Sequence, residues 1–268
     1  MTDYTARYGL EFNPFLKNTK DIILDTADMS EAKVRLNHLK EIKGFGIITG
    51  SPGRGKTTAA RVWASSLNPS LYKVFYSSLS TLTVMDFYRQ IAAGLGAEPS
   101  FRKNDLFDDI QREVRRCALE KRITPVIIID EANLLGHKVL SDLQLMFNFE
   151  MDSRDLAAVL LVGQPRLNST LNQSGHESLR QRIVTNYHMA GMSKEEGRAY
   201  IAKKLEGAGC RQAVFDENAM EALLNSANGT PRMINKFCNR SLMIGASQGK
   251  NIIDADTVQK AVEDTRLG

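Results

Sequence analysis

Cysteine is scarce in this chain: three residues in 268, Cys117, Cys210 and Cys238, odd in number, far apart and without metal-ligand neighbours. That excludes a disulfide framework and reads as reduced thiols. The four histidines, His38, His137, His176 and His188, form no ligand constellation either. No apolar run approaches the roughly 20 residues that cross a bilayer, and the first residues, with Asp3, Arg7 and Glu11, lack the apolar core of a signal peptide. The expected location is cytoplasmic, with no membrane partner. Internal repeats and low-complexity tracts are missing too. Charge of one sign is modest: a net +4 is compatible with a polyanionic partner but does not demonstrate one. With 43% hydrophobic and 25% charged residues the composition is that of a globular protein with material for one large or two small domains.

What is present is concentrated. Gly50, Ser51, Pro52, Gly53, Arg54, Gly55, Lys56 and Thr57, followed by Thr58, come after the apolar run Phe45 to Ile48 and before a helix-compatible segment. Strand, glycine loop and helix in that order form a phosphate-binding P-loop. The glycines let backbone N–H groups curl around an anion, and the helix start adds its unpaired donors. Lys56 then reaches the β- and γ-phosphates, and Thr57 offers a hydroxyl to Mg²⁺, a hard cation that prefers oxygen. ATP and Mg²⁺ are the expected cofactors.

Val126 to Ile129 is a continuous apolar run closed by Asp130 and Glu131. A buried parallel strand ends at a ligand crevice in this way. As a Walker B element, Asp130 would hold Mg²⁺ through its water shell and Glu131 would polarise the attacking water. A strand followed by an acidic N-cap is the competing explanation. Around these motifs the pattern is α/β. Leu71 to Ser77 and Ala157 to Val162 read as strands, whereas Thr83 to Leu95, Asp105 to Glu120 and Lys138 to Phe147 read as helices joined in part by the polar linker Ala97 to Asn104. Gln164, after the strand ending at Val162, is either a γ-phosphate sensor or ordinary turn chemistry before Pro165. From Ser193 onward only helices are expected: Ser193 to Gly207, Asp216 to Ala227, Thr230 to Gly245 and Asp254 to Thr265. Ser193 and Asp254 suit N-caps, and Glu196 completes a capping box. The fold class is therefore α/β: a P-loop NTPase core with a parallel sheet flanked by helices, over 1–190, followed by a small helical lid domain, 191–268.

Taken in order, the segments Tyr8 to Phe15, Gly50 to Thr57, Ile127 to Ala132, Leu160 to Pro165, Leu179 to Ile183 and Gly229 to Asn235 resemble the ExeA-like AAA+ ATPases. That group includes secretion-assembly ATPases and the MuB, TniB and TnsC-type regulators of DNA transposition. The resemblance implies that Asn13, Pro14 and Phe15 lie near the adenine, that Arg232 is the lid's γ-phosphate sensor, and that Arg180 or Arg182 is an arginine finger completing a neighbouring subunit's site. Guanidinium suits that task because it stays charged and donates several hydrogen bonds. A homo-oligomer, ring or helical filament, follows.

The resemblance further implies an ATPase that assembles on double-stranded DNA, recruits a transposase, with a target-selection protein as a further partner, and is discharged by hydrolysis. The secretion relatives typically continue into a membrane segment and a peptidoglycan-binding region, and this sequence stops at Gly268, which favours the transposition reading at this level. Lys73, Arg102, Lys103 and Lys138 are the candidate DNA contacts, with solvated loop charges as the alternative. A protein-remodelling or secretion-assembly ATPase would use the same motifs, as would a slow nucleotide-controlled scaffold. A small-molecule kinase fits less well, because the acidic pair and the Gly-Thr-Pro-Arg segment point to water activation and sensing between subunits.

Overall fold

The computed structural model describes residues 4–17, 19–78, 83–149 and 153–265; the outer limits of the two expected domains, Met1 and Gly268, lie outside these. By contacts the chain divides into two units: Met29–Pro52 with Lys56–Met189, the sheet unit, and Met1–Asp28 with Gly53–Gly55 and Ala190–Gly268, the helical unit.

The sheet unit is built on five parallel strands, β1 (Gly44–Gly50), β2 (Tyr72–Ser77), β3 (Thr124–Ile129), β4 (Ala158–Gly163) and β5 (Ile183–Met189), in the order β2-β3-β4-β1-β5. β1 and β4 are buried along their whole length and β3 along all but its first residue, as near-continuous apolar runs require in a sheet covered on both faces. Their alternate residues divide the core. Phe45, Ile47, Ile127, Ile129, Val159 and Leu161 face helices α4 (Val84–Leu95), α5 (Lys103–Arg115), which continues as a π turn over Arg116–Glu120, and α6 (His137–Met146). Ile48, Val126, Ile128, Ala158, Leu160 and Val162 face α2 (Ala27–Ile42) and α3 (Lys56–Ser66). Trp63, fully buried, anchors this second layer, and its indole N–H donates to Asn37 Oδ1 at 3.3 Å. The short helices α7 (Arg166–Leu171) and α8 (Glu177–Gln181) close the β4–β5 connection. Edge strand β2 is held close to α4 because residue 94 is glycine: a Cβ there would stand 2.0 Å from the Phe75 ring.

The helical unit contains α1 (Tyr4–Arg7), α9 (Lys194–Gly207), α10 (Glu217–Ala227), α11 (Pro231–Ser247) and α12 (Ala255–Asp264). The four C-terminal helices lie where the sequence expects them, and the capping box of Ser193 and Glu196 is formed. The N-terminal segment, which the sequence reading assigns to the α/β core, groups instead with these helices. Tyr8, Leu10 and Phe15 bury their side chains among Ile201, Leu205, Phe237 and Leu242. Lys204, 6% exposed, donates to Pro14 O at 2.7 Å and lies over the Tyr200 ring at 5.3 Å; burial lowers its pKa.

Asp254 caps α12. Its Oδ1 accepts the Thr257 N–H at 3.0 Å and the Thr257 hydroxyl at 2.7 Å, while Oδ2 accepts Lys250 Nζ at 2.6 Å. The hydrogen bond from Lys250, followed by those from Thr257, holds the carboxyl well below the usual carboxylate range. A group depressed in the folded state contributes stability above its unfolded pKa and loses it as pH falls. Asp254→Ala should therefore cost about 1 kcal/mol near neutral pH. The gap between mutant and wild type in denaturant unfolding should shrink as acid titrates the cap, and a gap that stays constant into acid would contradict this assignment.

Candidate nucleotide site

The site grows from the carboxyl ends of β1, β3 and β4. β1 runs out at Gly50, where a Cβ would meet Met189 O at 2.7 Å, so the first loop residue has to be small. Gly53 and Gly55 have φ of 80° and 95°, left-handed values that glycine adopts without strain. α3 then begins at Lys56, which is buried and donates to Gly50 O at 2.8 Å and Ser51 O at 3.0 Å. The lysine curls back over its own loop, and its charge sits beside the backbone that would cradle phosphate. Ser51 and Pro52 are exposed, and Arg54 and Thr58 are half-buried.

β3 delivers the acidic pair. Asp130 is 5% exposed, and its Oδ2 accepts two hydroxyls, that of Thr57 at 2.7 Å and that of Tyr76 at 2.9 Å, while Oδ1 accepts the Glu131 N–H at 2.8 Å. Glu131 has φ +51°, a left-handed conformation uncommon for a side chain of its size and concentrated at functional sites. The turn buries Asp130 and leaves Glu131 half-exposed, so adjacent carboxylates differ in surroundings. Thr57 and Asp130 together are a hard oxygen pair of the kind that takes Mg²⁺ along with phosphate and water ligands. Among the described residues no cluster of three or more His, Cys, Asp or Glu side chains forms a protein cage for a metal. The Thr57–Asp130 oxygen pair fits a cation whose remaining ligands are phosphate and water.

Two participants had no sequence signal. Tyr76 lies on β2 like any strand tyrosine, yet its hydroxyl reaches Asp130; burial first, then the bond to Asp130, pushes its pKa up to about 12. Asn133, in the 3-10 turn Ala132–Leu134, accepts the backbone N–H of Gln164 at 2.7 Å and so joins the ends of β3 and β4. Gln164 is thus anchored through its backbone, at the end of β4, with a half-buried side chain. A Cβ at Gly163 would stand 2.8 Å from Asn133 Oδ1, which accounts for the glycine before it.

The arginine pair is separated by environment. Arg180 is exposed and donates to Leu171 O at 3.4 Å and Asn172 O at 3.2 Å. Arg182 is half-buried, donates to Gln144 O at 3.0 Å and Phe147 O at 3.4 Å at the end of α6, and has its pKa lowered by burial. Its guanidinium is spent as a helix C-cap.

The four lysine and arginine candidates for DNA also part company. Lys73 lies inside β2, half-buried, and donates to Leu95 O at the end of α4. Lys103 begins α5, pairs with Asp142 at 2.5 Å and lies 5.8 Å and 5.6 Å from the Tyr88 and Phe107 ring centroids. Both are engaged with groups of the fold, which weighs against their reading as DNA contacts and equally against the alternative of solvated loop charges. Arg102 and Lys138 are exposed.

In the helical unit, Asn13 is buried. Its amide donates to Tyr4 Oη at 3.0 Å and Asn239 Oδ1 at 2.7 Å, and its Oδ1 accepts the Phe15 N–H at 2.9 Å. Pro14 and Phe15 are buried too, so the tripeptide acts as a turn that ties the N-terminal segment to the helices. Arg232 is the second residue of α11, and its backbone N–H points at Gly53 O, 3.5 Å away within the same unit.

Residues 39–171 match the family model described as AAA domain. The chain is 33% identical over 266 residues to General secretion pathway protein A of Aeromonas hydrophila, an alignment covering 97% of this chain and 48% of that protein, so it spans about half the length of this curated relative. Among solved structures it is similar to Cdc6p from Pyrobaculum aerophilum, with TM-score 0.70, 14% identity, 95% of this chain and 71% of that one. It is also similar to the Aeropyrum pernix ORC1 protein in complex with DNA, with TM-score 0.68, 17% identity, 94% of this chain and 68% of that one. At these identities the structures speak to fold alone. No helix among the described residues is long and apolar enough to cross a membrane. The parallel sheet, the P-loop and these matches show a P-loop fold of the AAA type, with the AAA domain model matched over residues 39–171 and similarity over nearly all of this chain to General secretion pathway protein A.

Proposed function

We propose that the protein is a magnesium-dependent ATPase that works as an oligomer on double-stranded DNA, marking target DNA and recruiting a transposase. The observation that carries the ATPase part is the meeting of Lys56, Thr57, Asp130 and Glu131 at the ends of β1 and β3. Thr57 and Asp130 would hold Mg²⁺, which neutralises phosphate charge when bound. Glu131 accepts a proton from the attacking water as its oxygen bonds to the γ-phosphorus. The bond from that phosphorus to the bridging oxygen breaks, and ADP leaves with the electron pair. Lys56 draws charge from the phosphates, and Gln164, whose backbone is held by Asn133, would orient the water. Arg180 is the finger, since it is exposed while Arg182 is committed to α6. The γ-phosphate sensor role stays with Arg232.

The DNA and transposase part rests on the resemblance to transposition regulators and on the fold shared with a DNA-bound ORC1. Oligomerisation would add up modest phosphate contacts from each subunit, so a protomer charge of +4 is sufficient. Arg102 and Lys138 are the contacts that keep exposed charge. A second reading, a secretion-type assembly ATPase acting on protein, is favoured by the 33% identity to General secretion pathway protein A.

Glu131→Gln should lower steady-state ATP hydrolysis by about 100-fold or more while ATP affinity stays close to wild type. Hydrolysis that survives this change would remove Glu131 from the chemistry. Arg180→Ala should lower turnover by about 1000-fold and be rescued when mixed with Glu131→Gln subunits, which supply an intact Arg180 to intact Glu131 sites. Arg182→Ala should instead lower stability. Duplex binding with ATP, ADP and a non-hydrolysable analogue across a salt series tests the partner. Triphosphate-selective binding with a steep salt slope, flattened in Arg102→Ala and Lys138→Ala, is expected. If nucleotide binds but duplex never does, the protein-assembly reading takes over.

A further inference from the structure

We infer that Tyr76 is a displaceable partner of Asp130 that sets how tightly the site takes its divalent cation, an inference that rests on the nucleotide-binding reading above. A carboxylate offers about four acceptor positions. On Asp130 the Thr57 and Tyr76 hydroxyls occupy Oδ2 and the Glu131 N–H occupies Oδ1. The oxygen that adjoins Thr57 is therefore full. Mg²⁺ keeps several of its waters when it binds through one or two side chains, and those waters are donors in search of carboxylate oxygen. A metal ligated by Thr57 brings them to the oxygen whose second position belongs to Tyr76.

The three donors on Asp130 differ in how easily they yield. The Glu131 N–H is main chain, fixed by the turn at the end of β3. Thr57 lies in the first turn of α3, beside the lysine that closes over the loop. Tyr76 is on edge strand β2 and is 47% exposed, so its phenol exchanges Asp130 for water by rotating its own side chain. While it stays, it withdraws charge from Oδ2 and competes with metal-bound water. When the cation arrives with a nucleotide, the phenol turns to solvent. Tyr76 thus acts on the metal through Asp130, as a positioning residue, and makes the carboxylate a weaker metal partner than Thr57 and Asp130 alone would be.

The test uses the full chain and Tyr76→Phe, which keeps the ring and removes only the hydroxyl. Mn²⁺ binding in the presence of ADP is read by electron paramagnetic resonance, and ADP binding alone is read in EDTA. Tyr76→Phe should bind Mn²⁺ roughly three- to tenfold more tightly, the worth of one exchanged hydrogen bond, with ADP affinity in EDTA unchanged. The tyrosine ultraviolet difference signal that follows Mn²⁺ addition in wild type should be lost in the variant. Equal or weaker Mn²⁺ binding, or an undiminished difference signal, would overturn the inference while leaving the nucleotide reading intact. Failure of wild type to bind ADP at all would overturn both.

Discussion

Burial of the central strands on both faces is the constraint from which the site follows. β1, β3 and β4 are apolar almost throughout because helices cover the sheet on either side, so polar groups have room only where these strands end. A parallel sheet brings all those ends to one edge, and there the lysine, the threonine, the acidic pair and the asparagine–glutamine link collect. The chemistry is concentrated because the interior excludes it elsewhere.

Inside that edge, charge is handled by saturation. Asp130 is nearly out of reach of water and is compensated by two hydroxyls and a backbone N–H, none of which carries a full charge. Neutral donors keep a buried carboxylate tolerable and can be traded for others, whereas a salt bridge in the same place would be costly to break. Arg182 and Lys73 illustrate the opposite use of charge: each has surrendered its cation to carbonyl oxygens at a helix end and contributes to architecture.

Legibility followed locality. Gly50 to Thr57 and Val126 to Glu131 are short stretches in which residue type and spacing already contain the geometry, and the C-terminal helices announce themselves through caps such as Ser193 and Asp254. β5 escaped because an edge strand is buried only in part, so Ile183 to Met189 alternates too weakly to stand out. Tyr76 and Asn133 escaped for another reason: their partners lie 54 and 31 residues away, and only the sheet brings them together. Lys73 and Lys103 look in sequence like any solvated cation, and what distinguishes them is a carbonyl or a carboxylate supplied by a different helix. Asn13, placed near the adenine by resemblance, gives no local sign of its partners either, since Tyr4 and Asn239 take its amide only in the fold.

The tie between Lys204 and the carbonyl of Pro14 has a practical consequence for anyone shortening this protein. A cut placed just before the P-loop strand, where motif boundaries would suggest it, removes the acceptor of a buried ammonium and uncovers the apolar surface that Tyr8 and Phe15 fill. The damage would appear some 190 residues downstream of Pro14, as a loosened C-terminal helical bundle and poor solubility. In primary structure the N-terminal segment is a leader to the sheet, but in tertiary structure it is the missing piece of the helices.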